Sequence, residues 1–488
     1  MSEPTESAGQ ESLQKFGYTQ ELWRTVGLAD LLFYGLVFMV PIAPFAIFGQ
    51  VYSASAGMPA LAYLVGAVAL VFTASSYTQM VRAFPLSGSV YNYAGRSLGA
   101  PVGFLAGWMI LLDYFLVPSL LYVVASVAMN STVTSVPVWA WMLVFVAANT
   151  AINLRGIRMT AGFIKVMIAG ELAVLALFLA VGIWAVADGK GRHFSFAPLY
   201  HSQAFSWSLI FGAVSVAVLS FLGFDGISML VEEAKGGSRQ IGRAMRLALV
   251  IAGLLFIAQV WVAALLVPDP AGLIAKGDPA GTAFYDAAGV AGGNWLSKTA
   301  STATAISWGL ADTMVAQVAV ARLLYAMARD RQLPRFLAKV SLKRSVPMNS
   351  TLLVAGVSTG LCLWAILGTD NYGLALLPNL VNFGALVAFL VLHVSVIVHY
   401  VVRGKSRNLL PHLVSPLLGG AILVAVVLNA KIWAQRVGGI WFAVGLLALA
   451  ALYASGRRPA ISGLDIPEAG SPAAATGAAD LVAEGGTA

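Results

Sequence analysis

Long apolar runs alternate with short polar or charged segments along almost the whole chain. Twelve such runs fall at about 27–49, 58–81, 103–128, 136–154, 159–187, 207–231, 247–267, 297–328, 349–368, 372–402, 412–430 and 437–455. A helix needs roughly 20 apolar residues to cross the hydrocarbon of a bilayer. The pattern therefore predicts an all-α polytopic membrane protein with twelve transmembrane helices, here called spans 1 to 12. Span 1 is not a cleavable signal peptide, because it follows a polar stretch of 26 residues, is long, and lacks a small-residue cleavage site. Residues 1–26 read as a polar tail. Residues 456–488, rich in Gly, Ala, Ser and Pro, read as a flexible tail without a core. The segments near 188–206 and 268–296 are too short for a globular domain outside the membrane.

Composition agrees with this pattern. Apolar residues make up 59% of the 488-residue chain and charged residues 10%, against about 45–50% and about 25% in ordinary soluble domains. Mean hydropathy is +0.83. A soluble enzyme, a nucleic-acid reader and a disordered scaffold are all excluded. The one cysteine, Cys362, excludes an internal disulfide framework and a cysteine-built metal site. The net charge of +8 needs no acidic partner, since cytoplasmic loops of membrane proteins collect Lys and Arg. With the N-terminus placed in the cytoplasm, 22 basic residues fall on the inner side and 6 on the outer, with Lys165 inside span 5. That bias orients both termini toward the cytoplasm of a cell inner membrane.

Two spans carry helix breakers. Span 1 contains Met39-Val40-Pro41-Ile42-Ala43-Pro44, where two prolines remove two N–H donors and clash with the preceding turn. Span 6 contains Gly223-Phe224-Asp225-Gly226, a carboxylate flanked by glycines. A pair of merely kinked helices is the plainer reading. But the two breaks lie five spans apart, and interrupted helices at matching positions of two halves mark an inverted-repeat transporter with its substrate at the break. Spans 1–5 (27–187) and 6–10 (207–402) are then the repeats, and spans 11–12 (412–455) an addition.

At these residues the chain resembles the amino acid–polyamine–organocation transporter superfamily, and more closely the bacterial putrescine importers. The segments that carry the resemblance are Phe84-Pro-Leu-Ser-Gly-Ser-Val-Tyr-Asn-Tyr93, Gly107-Trp-Met-Ile-Leu-Leu-Asp-Tyr114, Phe221-Leu-Gly-Phe-Asp-Gly-Ile-Ser228 with Glu232-Glu233, Ala321-Arg-Leu-Leu-Tyr-Ala-Met-Ala-Arg-Asp330 and Asn382-Phe-Gly-Ala-Leu-Val-Ala-Phe389. It covers nearly all of residues 20–455. It implies a leucine-transporter-type fold, a 5+5 inverted repeat plus two extra helices, alternating access, and uptake driven by an ion gradient without ATP.

Ionisable residues inside spans are costly and are functional candidates by default. Asp225, at the break of span 6, is placed to meet a cationic amine, and also to cap the second half-helix. Asp113, beside Tyr114 in span 3, either lines the central site or is satisfied by a neighbouring helix. Asp312 lies four residues after Trp308, so the two share a face of span 8. A carboxylate with an aromatic wall suits an ammonium group. The putrescine importers do not typically carry an acid at this position. Glu171 in span 5 stands near the place where many proton-coupled relatives have a lysine. An acid there is a candidate proton carrier, because burial disfavours its charged form. Lys165, nearer the cytoplasmic end, can snorkel. Glu232 and Glu233 read as members of a gate or loop network with basic partners. His393 and His399 read as packing or interfacial residues, and no metal site is expected. Trp207, which opens span 6, is a candidate part of an outer lid.

Zwitterionic amino acid carriers of this superfamily usually have a glycine-rich break in span 1 whose bare N–H groups hold a carboxylate. Here Pro41 and Pro44 occupy that stretch, with no glycine between Gly35 and Gly49. Fewer donors and three acids favour a cation without a carboxylate, such as putrescine or another alkyl amine. The candidate substrate contacts are Met39, Val40, Pro41, Ile42, Ala43, Asp113, Tyr114, Gly223, Phe224, Asp225, Gly226, Trp308 and Asp312, with Glu171 in coupling. The alternative is a proton-coupled amino acid permease. A membrane-embedded enzyme lacks its catalytic or metal cluster, and a passive channel lacks a pore ring or filter. No cofactor or nucleic acid is expected. The expected partners are the substrate and the lipid bilayer. A proton gradient is the preferred drive, sodium stays open, and oligomeric state is not readable.

The topology has a direct test. In a Cys362-free variant carrying cysteine at position 5 or 475, an impermeant thiol reagent should leave intact cells unlabelled. Labelling at either position would overturn the inside placement of the termini.

Overall fold

The computed structural model describes residues 24, 26–86, 89–155, 161–329, 333–340, 346–368, 373–374 and 376–456. Nearly all of both tails read from the sequence lies outside the described residues. Within them the regular structure is helical, apart from one isolated parallel bridge between Val26 and Ala234.

Each apolar run holds helix. Span 1 is Leu28–Met39 and Pro44–Ala54, span 2 Pro59–Ala83, span 3 Ala100–Thr132, span 4 Val138–Leu154, span 5 Ala161–Ala187 and span 6 Trp207–Leu230. Span 7 is Gly237–Leu265, span 9 Met348–Gly368, span 10 Leu377–Arg403, span 11 Leu410–Asn429 and span 12 Ile432–Ala454. Span 8 runs as Asn294–Ile306, a π-helical turn Ser307–Asp312, and Thr313–Arg329. Among the described residues nine helices are long and apolar enough to cross a membrane, and the two halves of span 1, bent by 57°, make a tenth. Span 4 is a shorter apolar helix, and the π turn divides span 8. Proline stands at or next to the first position of several helices, at Pro44, Pro59, Pro101, Pro270, Pro378 and Pro411. There its missing N–H costs nothing.

Span 3 is the axis of the bundle, buried along almost its whole length and packed on spans 4, 8, 9, 10 and 12. Gly384 of span 10 lets the two backbones approach closely, for a side chain there would meet the Met109 carbonyl. Span 12 is bound to span 3 through a reciprocal pair. The Trp108 indole donates to the Trp441 carbonyl (2.9 Å), the Trp441 indole donates to the Trp108 carbonyl (2.8 Å), and the rings stack at 4.8 Å.

The first half of span 1 lies along the second half of span 6 in opposite order. Val26 meets Ala234, Gly35 faces Ile227, and Phe38 covers Gly223. Two main-chain hydrogen bonds clasp the ends of these halves, from the Val26 N–H to the Glu233 carbonyl and from the Lys235 N–H to the Val26 carbonyl, both 3.0 Å. The second half of span 1 packs on the first half of span 6.

Two segments outside the apolar runs are helical as well. Ser89–Leu98 follows span 2, and Pro270–Lys276 and Ala283–Gly292 form the connection before span 8. This connection grips the second half of span 1. The Asp278 carboxylate accepts from the N–H groups of Thr282 (3.1 Å) and Ala283 (3.2 Å), capping the following helix. It fills the space where any side chain at Gly49 would stand. Arg192 binds the same half-helix from the other side, donating to the Tyr52 hydroxyl (3.2 Å) and to the Ala264 carbonyl.

Burial pushes the Asp278 carboxyl above the usual range, against the pull of the Ala283 and Thr282 N–H groups. The docked loop therefore binds this proton more tightly than the unfolded chain does. Its contribution to stability is full below the ordinary carboxylate value near ~4 and is lost as pH rises through the raised value. The melting temperature of the purified protein should fall on going from about pH 4 toward neutrality by more than that of Asp278→Asn. Equal slopes in the two proteins would remove Asp278 as the cause.

Candidate substrate site

The break in span 1 is built by Val40 and Pro41. Val40 takes φ +52°, a left-handed conformation unusual for a β-branched residue. Pro41 has no N–H to continue the helix. Its own carbonyl accepts from the amide of Gln259 in span 7 at 3.0 Å, inside the core. Pro44 then opens the second half-helix.

In span 6 the α-helix Trp207–Ala217 tightens into a 3₁₀ turn over Val218–Phe221. Leu222 is extended, Gly223 takes φ +104°, and a second 3₁₀ segment begins at Phe224. Glycine is required at 223 twice over: the backbone is left-handed, and any side chain would strike the Phe38 ring. The carbonyls of Ser215 and Val216 accept from the Asn382 amide of span 10 at 2.6 and 3.2 Å.

A cavity of about 40 Å³ lies where the two breaks face each other. It is small against the ~300–1,000 Å³ of typical small-molecule sites, so the walls stand closed. Its lining comprises Phe38, Met39, Val40 and Ala43 of span 1, and Asp113, Tyr114, Val117, Leu120 and Leu121 of span 3. Leu219, Leu222, Gly223 and Asp225 of span 6, and Trp308, Asp312 and Ala316 of span 8, complete it. Three carboxylates thus share one cavity, and no Lys, Arg or His stands among the described lining residues.

The Asp225 carboxylate accepts from the Tyr114 hydroxyl (3.4 Å) and the Tyr77 hydroxyl (3.5 Å). One oxygen of Asp113 is buried without a hydrogen-bond donor. A charged Asp113 would have neither a cation nor a full set of hydrogen bonds here, an expensive state for a buried carboxylate, and an ammonium group would offset that cost.

Of the residues singled out from the sequence, Met39, Val40, Ala43, Asp113, Tyr114, Gly223, Asp225, Trp308 and Asp312 line the cavity. Pro41, Ile42, Phe224, Gly226 and Glu171 do not. Pro41 spends its carbonyl on Gln259, and Ile42 is fully buried in the core. Phe224 packs edge-on against Tyr77 and is tilted on Phe389. Gly226 donates its N–H to the Gly223 carbonyl at 3.0 Å and so closes the turn. Glu171 is buried one layer behind, beside Ser307 and near enough to Asp312 for the two carboxylates to interact electrostatically. Trp207 is more than half exposed and stacks on Phe211. His393 is buried with its ring nitrogens on Ser76 (2.9 Å) and Thr73 (3.2 Å). The sequence reading missed Phe38, Val117, Leu120, Leu121, Leu219, Leu222 and Ala316 in the lining, and Tyr77 on Asp225.

The amino acid permease family model matches residues 29–455. The chain is 34% identical to the low-affinity putrescine importer PlaP of Escherichia coli K12 over 448 residues, 90% of this chain and 96% of that one. It is 28% identical to the methylthioribose transporter of Bacillus subtilis, covering 90% and 95%. It is 26% identical to the branched-chain amino acid permease BcaP of Lactococcus lactis, covering 88% and 94%. The chain belongs to the amino acid permease family. It is a multi-pass membrane transporter and not an enzyme.

Proposed function

We propose that the protein imports a small cationic amine, putrescine or a related alkyl amine, by ion-coupled alternating access across the inner membrane. In this reading twelve spans cross the bilayer with both termini inside, and spans 1–5 and 6–10 form an inverted 5+5 repeat. The reversed order of contacts between the broken spans 1 and 6 supports the repeat. The observation that carries the substrate reading is the cavity itself: Asp113, Asp225 and Asp312 on three spans, Trp308 beside Asp312, and no base among the described lining residues. An ammonium group there gains charge-assisted hydrogen bonds and an aromatic wall. A second amine on the same chain has another carboxylate to reach.

The putrescine importer among the relatives agrees with this reading. A proton-coupled amino acid permease is the alternative, supported by the branched-chain permease. Against it, Pro41 and Pro44 withdraw two of the N–H groups that would receive a substrate carboxylate. Glu171, behind Asp312, is the residue we assign to proton coupling, with sodium as the other candidate ion.

Uptake of labelled putrescine, spermidine, ethanolamine, lysine and alanine into proteoliposomes, with proton and sodium gradients imposed separately, decides among these. Accumulation of alanine but not putrescine would reject the amine reading. Asp225→Asn keeps the shape and capping capacity of the side chain and loses its charge. Such a hydrogen bond is worth roughly 1.5–3 kcal/mol, so putrescine affinity should weaken by about one to two decades in a protein that inserts normally. A stability loss with unchanged affinity would make Asp225 a cap alone. Glu171→Gln should reduce gradient-driven accumulation more than putrescine binding. Wild-type accumulation in that variant would leave Glu171 a structural role only.

A further inference from the structure

The candidate site depends on a departure from α-helical geometry in span 8. Ser307 and Asp312 are five residues apart and bound the π-helical turn. In an α-helix, with 3.6 residues per turn, such residues point about 140° apart. A π turn closes i to i+5 and brings them onto one side. That is how Ser307 and Asp312 both come to neighbour Glu171 while Trp308 and Asp312 line the cavity. A π turn weakens the regular ladder, so a carbonyl inside it needs a donor from elsewhere.

The donor comes from span 4. The fully buried Asn149 gives its amide to the carbonyl of Gly309, in the middle of the turn, at 2.7 Å. Gly309 makes this reach possible, since a side chain there would stand 2.7 Å from Ala125 of span 3 and 2.9 Å from Phe145 of span 4. One helical turn on, Asn153 donates to the Gln317 side chain at 2.6 Å. Thr313 closes the end of the turn on the Trp308 carbonyl. Span 4 touches the cavity nowhere, and nothing in its apolar sequence points to a role in transport.

We propose that Asn149 is a positioning residue for the substrate site: it holds span 8 in the π register that lets Asp312 stand beside Ser307 at Glu171 while it and Trp308 face the cavity. The link to substrate rests on the amine reading above; the link to the π turn does not. Asn149→Leu removes the donor at similar volume, and Gly309→Ala separates the same surfaces from the other side. Hydrogen exchange by mass spectrometry on the purified transporter, with and without putrescine, reads both links.

In both variants peptides spanning 307–317 should exchange at least about tenfold faster, the equivalent of 1.4 kcal/mol, while spans 2 and 10 keep wild-type protection. The putrescine dissociation constant should rise by about tenfold, and the preference for putrescine over cadaverine should shift. Unchanged exchange at 307–317 overturns the proposal whatever happens to binding. Faster exchange with an unchanged putrescine constant and an unchanged preference also overturns it, for Asn149 then serves stability alone. A wild-type protein that ignores putrescine rejects the amine reading and with it the link to substrate, and the exchange result then decides only whether Asn149 holds the π turn. Should Asn149→Leu fail to accumulate, Asn149→Ser, too short for the contact but with room for water, takes its place.

Discussion

Hydrocarbon offers a peptide group no hydrogen-bond partner, so every interruption of a spanning helix has to be repaired by the protein itself. This constraint shapes the interior more than any apolar contact does. Three interruptions surround the cavity and each has its own side-chain amide, sent from a different span. Gln259 serves Pro41, Asn382 serves Ser215 and Val216, and Asn149 serves Gly309. An amide suits the task because it carries donors without a charge. The repairs let the chain keep bare, turned backbone at mid-depth, where a straight helix would present only side chains.

The same economy governs the carboxylates. Asp225 is held by two tyrosine hydroxyls and by the turn that carries it, an arrangement that orients the group without neutralising it. An arginine in their place would make a closed ion pair with nothing left for a substrate. Asp113 and Asp312 complete a chamber with three acidic side chains, walled by Leu, Val, Phe and Trp. Apolar walls suit the methylene body of an alkyl amine, and they strengthen the field its charged ends would meet.

What was legible in the sequence stood out against an apolar background. Prolines in span 1, glycines beside Asp225, and lone acids in long apolar runs are conspicuous, and most of them reach the cavity. The leucines that complete the lining were not, because apolar letters in an apolar helix carry no contrast. A helical face drawn from Asp113 would have found Val117, Leu120 and Leu121, at four, seven and eight residues on. Pro41, Ile42, Phe224 and Gly226 stand at the breaks but outside the lining, since within a turn successive residues point in different directions. Ser89–Leu98 falls outside the apolar runs because its sequence is too polar for a span. No residue type encodes a π turn, so the register of span 8 and the contact of Asn149 with Gly309 had no signature.

The clasp between Val26 and residues 233–235 is made entirely of main-chain groups. Such a joint is blind to side-chain identity. Substitution along it, proline excepted, leaves its bonds intact, so the sequences of related transporters can drift there without changing how the two broken helices are tied. A contact of this kind leaves no covariation for an alignment to detect and no phenotype for an alanine scan. It is inherited through the path of the backbone alone.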